Sequence, residues 1–123
     1  VIFDHIVLNV TNTKISKRFY LKALAPLGIT LIREEDSCVG FGVNGKPSFW
    51  ICNDGEIQRP MHIAFVAPNR KSIDEFHAAA VLVGGKDNGK PGLREQYHPN
   101  YYGAFVLDPD GHNIEAVYRL AIK

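Results

Sequence analysis

Apolar and polar positions along this chain run through the same change of period twice. From Ile2 to Val10 and again from Met61 to Ala67 they alternate with a period of two, which predicts strands. Each strand is followed by apolar residues at helical spacing: Ile15, Phe19, Ala23 and Leu24 in the first half, Ile73, Phe76, Ala80 and Val81 in the second. Thr13 and Asn69 are reasonable N-caps, and Gly28 and the Gly84-Gly85 pair can take the left-handed positions that end helices. Strands are then expected over 30–34, 38–43 and 48–52, and over 103–107 and 113–118. The last two are joined by DPDG, whose Gly111 accepts positive φ. A third strand of the second half must lie somewhere within KDNGKPGLREQYHPNYY.

A shift of 57 positions superposes the halves, carrying His5 onto His62, Ile6 onto Ile63, Lys14 onto Lys71, Phe19 onto Phe76 and Gly28 onto Gly85. The coincidence of helix-ending glycines shows that the repeat follows structural landmarks. The pattern predicts an α+β fold made of a duplicated β-α-β-β-β module. The modules are 1–58 and 60–123 of a single domain spanning 1–123, with Pro60 at the join.

Composition narrows the function classes. The 123 residues suffice for one packed core, and a net charge of +1 with no local Lys/Arg cluster gives no field for nucleic acid. No apolar run reaches the length of a membrane span and no leader precedes the first strand, so a cytoplasmic protein is expected. Val1 as first residue points to a lost initiator or a trimmed chain. Cys38 and Cys52 make no disulfide framework and no CxxC pair, and their apolar surroundings predict buried, reduced thiols.

Alternation across the strands aims the chemistry. His5 shares a face with Val7 and Asn9, His62 with Ala64 and Val66, and Glu115 with Asn113 and Val117. The bulkier apolar residues of each strand should face the helices, so both histidines and the carboxylate leave from the opposite side. Two His and one Glu form a metal-ligand set. At an offset of 65, Trp50 falls on Glu115, so the symmetric fourth position holds no ligand. Three ligands leave open coordination positions, as catalytic metal sites do.

DHIVLNV before an FY-bearing helix, MHIAF before a Phe-bearing helix, and DPDGHNIEAV near the end resemble the vicinal oxygen chelate superfamily over essentially the whole chain. That group includes glyoxalase I, extradiol dioxygenases, fosfomycin-resistance thiol transferases and bleomycin-binding proteins. The resemblance implies curved mixed sheets forming an open cavity, with helices on the outer face. It also implies a divalent metal (Fe, Mn, Ni or Zn) on His5, His62 and Glu115, and a homodimer. Trp50 stands where glyoxalase I has a fourth ligand, and Val7 where the fosfomycin enzymes carry a threonine, so neither specific activity is implied.

The loop GGKDNGKPGLREQYHPNYYG concentrates further chemistry. Arg94 suits a substrate carboxylate, His98 proton transfer near neutral pH, and Tyr101 polarisation of an oxygen. Tyr102, Trp50 and Val7 complete the expected substrate contacts. The expected function is a glyoxalase-like metal-dependent enzyme, a lyase, isomerase, thiol transferase or dioxygenase, acting on a small oxygen-bearing molecule. The alternative is a metal-free binding or sequestering protein of the bleomycin-resistance type.

Overall fold

The computed structural model describes residues 2–57 and 60–119; residues 1, 58, 59 and 120–123, at the outer bounds and join of the expected modules, lie outside the described residues. The first module runs β1 (Ile6–Asn9), α1 (Thr13–Leu24), a 3-10 turn (Ala25–Leu27), β2 (Thr30–Glu34), β3 (Cys38–Val43) and β4 (Lys46–Cys52). The second runs β5 (His62–Val66), α2 (Arg70–Leu82), β6 (Lys86–Leu93), β7 (Tyr101–Leu107) and β8 (Asn113–Arg119). Each module forms one mixed sheet, with orders β1-β4-β3-β2 and β5-β8-β7-β6. The first strand of each lies parallel to the last, and the other pairs are antiparallel. This is the duplicated β-α-β-β-β fold, with the two sheets left unclosed.

Local chemistry sets the element ends. α1 is capped one residue earlier than expected: the Asn12 side chain accepts from the Ile15 N–H, leaving Thr13 inside the helix. α2 is capped by Asn69 as expected, with a capping box in which Asn69 and Ser72 satisfy each other. Pro26 sits in the 3-10 turn, which Gly28 ends at φ 81°.

The first strand is shorter than its alternation suggested. Its pairing with β4 begins at Ile6 beside Phe49, and the Asp4 carboxylate before it is engaged by Lys46 and His5. Ile2 and Phe3 are left exposed, and His5 precedes the strand. The unplaced strand of the second half is β6, whose KDNGKPGL sequence pairs with β7 through two register shifts around Gly89.

The helix-facing sides share one core. Leu8, Phe19, Phe41 and Ile51 of the first module join Ile63, Phe76, Val106 and Ile114 of the second. Phe49 meets Phe65 edge to face at 5.2 Å between ring centres. Polar ties cross the same boundary at the β7–β8 turn. The Tyr20 hydroxyl donates to Asp108 Oδ2 at 2.5 Å, and the Thr11 hydroxyl donates to Asp110.

The expectation for the cysteines is corrected. Cys38 and Cys52 are direct partners across β3 and β4, with Cα atoms 4.1 Å apart, and they form a disulfide. Fourteen residues apart in sequence, they meet because the hairpin register brings them face to face. Among the described residues, no helix is long and apolar enough to cross a membrane.

Candidate functional site

The second sheet brings two expected site residues into contact. His62 opens β5, and Glu115 lies on β8 opposite Ala64. Strand alternation puts both on the face turned away from the core, and His62 Nε2 lies 2.6 Å from Glu115 Oε1. The imidazole is 54% exposed but the carboxylate only 1%, so this pair joins an open side chain to a buried one. The Tyr101 hydroxyl donates to the other carboxylate oxygen, Oε2. Burial first, then the Glu115 carboxylate, pushes the Tyr101 hydroxyl up to about 12, so it keeps its proton and remains a donor. Gly103 leaves room for this arrangement, since a Cβ there would stand 3.4 Å from Glu115 Oε2 and 3.2 Å from the Tyr101 ring.

A cavity of 250 Å³ beside this group is lined by Asn88, Arg94, Tyr97, Phe105 and Asn113. One guanidinium nitrogen of Arg94 donates to the Lys90 carbonyl at 2.6 Å, and the group lies 5.4 Å over the Phe105 ring. Arg94 is therefore held from two sides before any ligand arrives. His98 is not among the lining residues; its Nδ1 accepts from the Asn100 N–H in the turn before β7. Tyr102 points to the opposite face, as its neighbour Tyr101 points to this one. Its hydroxyl donates to Asp74 of α2, and Arg70 stacks 5.0 Å over its ring.

The first sheet carries the other half of the expected set. His5, Val7, Lys46, Trp50 and the Cys38–Cys52 disulfide line a separate cavity of 480 Å³. His5 Nδ1 lies 2.7 Å from Asp4 Oδ1, and Lys46 donates to Asp4 Oδ2 at 2.9 Å. The Lys46 ammonium, then the His5 ring, hold the exposed Asp4 carboxyl down at about 2. Gly40 lies beneath Trp50, and a Cβ there would come within 3.0 Å of the indole ring.

The registers confirm the symmetry of the two faces. Val7 pairs with Trp50 as Ala64 pairs with Glu115, so Trp50 is the counterpart of Glu115. His5 does not join the pair: among the described residues, the only three His, Cys, Asp or Glu side chains with ligand atoms within 4.8 Å of one another are Cys38, Cys52 and Asp54.

Metal fit can be judged on these atoms. Ligands about 2.0–2.2 Å from a shared ion stand roughly 3 Å apart. The 2.6 Å contact of His62 with Glu115 needs to open only slightly to admit one. His62 and Glu115 thus fit two of the three expected places, whereas His5 lies in the separate cavity of the first sheet. The lining by Asn88 and Phe105 was not readable from sequence, because the bulges of β6 decide what faces the cavity. Asn113, two residues before Glu115, did carry a signal in its shared face.

Comparison with known proteins agrees with this architecture. The sequence profile of the Glyoxalase/Bleomycin resistance protein/Dioxygenase superfamily matches residues 2–116. A crystal structure of a glyoxalase/bleomycin resistance protein from Albidiferax ferrireducens T118 is similar at 29% identity and TM-score 0.86, over 97% of this chain and 100% of that one. The oxidase ChaP-H1 has the same fold at 22% identity and TM-score 0.71, over 98% and 97% of the two chains. So does a glyoxalase/bleomycin resistance protein/dioxygenase family enzyme from Burkholderia phytofirmans PsJN, at 14% identity and TM-score 0.73, over 95% and 98%. No protein with a curated functional description matches the chain. With a profile match across nearly its whole length, this chain belongs to the Glyoxalase/Bleomycin resistance protein/Dioxygenase superfamily.

Proposed function

We propose that the chain is a metal-dependent enzyme acting on a small oxygen-bearing substrate, with His62 and Glu115 of one copy and His5 of a second copy as the ligands. The observation that carries this reading is the Glu115 carboxylate, buried to 1% exposure, with His62 on one oxygen and Tyr101 on the other. A carboxylate kept from water is costly to stability, and its counterpart in the first module is an indole, so symmetry does not require it. A use as ligand accounts for that cost.

A divalent ion with open positions would supply Lewis-acid activation of a substrate chelated through two oxygens. Around it, Tyr101 fixes the rotamer of Glu115 and withholds its own proton, while Arg94 offers its remaining N–H groups to a substrate carboxylate. Trp50 gives the facing half-site a flat apolar wall. A homodimer is supported by β1 and β5, each of which has a partner strand on one side only among the described residues. Exposed Ile2, Phe3, Val7 and Val66 lie on or next to those strands.

The test is the metal content of protein purified without a nickel column, followed by titration with Fe(II), Mn(II), Ni(II) and Zn(II) while oxygen uptake is recorded. About one ion per chain, lost in His62→Ala and Glu115→Gln, is the expected result. No binding at micromolar metal, or binding indifferent to both substitutions, would overturn the reading. A second reading, metal-free capture of a small molecule, is favoured by one observation: His62 and Tyr101 already satisfy Glu115, and Asp4 already engages His5. Ligand binding unchanged by a chelator would select it.

A further inference from the structure

A second donor cluster lies on the first sheet, at the end of the β3–β4 hairpin. Asp54, two residues beyond Cys52, has its carboxylate turned back towards Cys38. Its Oδ2 accepts from the Ser37 hydroxyl at 3.1 Å and lies 4.0 Å from Cys38 Sγ. A disulfide sulfur has no proton to donate, so in the oxidised protein Ser37 is the hydrogen-bond donor to this oxygen among the described residues. Two sulfurs and a carboxylate oxygen thus stand within 4.8 Å of one another, the only such three-residue group among the described residues.

Reduction changes what this group can do. With a thiol reductant, the Cys38–Cys52 bond and two RSH molecules give two cysteine thiols and RSSR. Binding of a divalent cation by both sulfurs then releases two protons to solvent. Two thiolates and one carboxylate match the ligand preference of a borderline-soft ion such as zinc. A tetrahedral ion with metal–sulfur bonds of about 2.3 Å sets a sulfur–sulfur edge of about 3.8 Å and a sulfur–oxygen edge of about 3.5 Å. The 4.0 Å from Cys38 Sγ to Asp54 Oδ2 is already close to that edge. The hairpin register keeps the cysteines paired while the freed sulfurs move apart.

We infer that Cys38, Cys52 and Asp54 form a redox-gated site for a borderline-soft divalent cation, closed by the disulfide and opened by thiol reduction. Cys38 and Cys52 also line the cavity that holds His5 and Trp50, so the gate sits on the wall of the first half-site. It shares no ligand with His62 and Glu115.

Cadmium(II) is the probe, because its bonds to thiolate give a charge-transfer absorption that nitrogen and oxygen ligands do not. Full-length protein would be titrated anaerobically in oxidised and reduced forms. The expected result is one equivalent of the cadmium–thiolate band in the reduced form only, displaced by zinc(II). It should be retained in His62→Ala and abolished in Cys38→Ser. Asp54→Asn, at an exposed position, should weaken binding about 10- to 100-fold, the loss that even an outer-shell partner causes. The oxidised wild type is a control that needs no substitution. Two free thiols without the band, an equal band in the oxidised form, or cysteines that stay unpaired under an oxidant would each overturn the inference.

Discussion

Tyr101 and Tyr20 are both buried phenols that donate to a carboxylate, and they make different predictions. Tyr101→Phe leaves the buried Glu115 oxygen short of a donor and should cost roughly 1.5–3 kcal/mol, read as a lower urea midpoint. Metal retention should fall with it if Tyr101 fixes the Glu115 rotamer. Tyr20 is held well above its ordinary value of 10.0, first by burial and then by the Asp108 carboxylate. The folded state therefore holds that proton more tightly than the unfolded chain. The resulting stability is complete below pH 10 and is lost as pH rises towards the raised value. Denaturation midpoints followed up to about pH 11 should fall more steeply for the wild type than for Tyr20→Phe. At this scale sequence served unevenly. Alternation put His62 and Glu115 on one face, because a strand's period is rigid. It could not show that His5 stands just outside its strand, since the pairing that begins at Ile6 is set by β4, over forty residues away. Nor could it divide Tyr101 from Tyr102 until the first residue of β7 was known.

At the level of elements, the clearest test is the start of α2. Asn69→Ala removes the side-chain half of the capping box, the acceptor for the Ser72 N–H, and should destabilise the protein by about 1 kcal/mol, seen in thermal or urea melts. The helices were legible because apolar spacing at 3.6 residues is a local signal, though the cap expected at Thr13 lies one residue earlier, at Asn12. β6 was not, for its glycines and proline read as loop, and it holds together only through its bulged pairing with β7. The disulfide was hidden for a related reason. Fourteen residues of separation say nothing until the register of β3 on β4 places Cys38 across from Cys52.

For the molecule as a whole, the decisive matter is that His5 lines the cavity of the first sheet while the His62–Glu115 pair lies on the second. If a second copy completes the site, His5→Ala and His62→Ala proteins should each lose metal when pure. Mixed after reversible dissociation, they should regain it, because one of the two sites in each heterodimer then has every ligand intact. Mixtures that stay empty would count against a shared site. The repeat was legible along the whole sequence, yet the contacts that break its symmetry were not. Tyr20 and His77 are equivalent by the repeat, but His77 bonds Asp87 within its own module while Tyr20 reaches Asp108 in the other. Asp108 is also the hinge pin of its turn, accepting from the Asp110 and His112 N–H groups. The two descendants of the duplication have therefore become unequal. The second can no longer be excised as a free-standing ancestor without leaving a buried acid stranded, and damage to its DPDG corner would be felt first in the helix of its sibling.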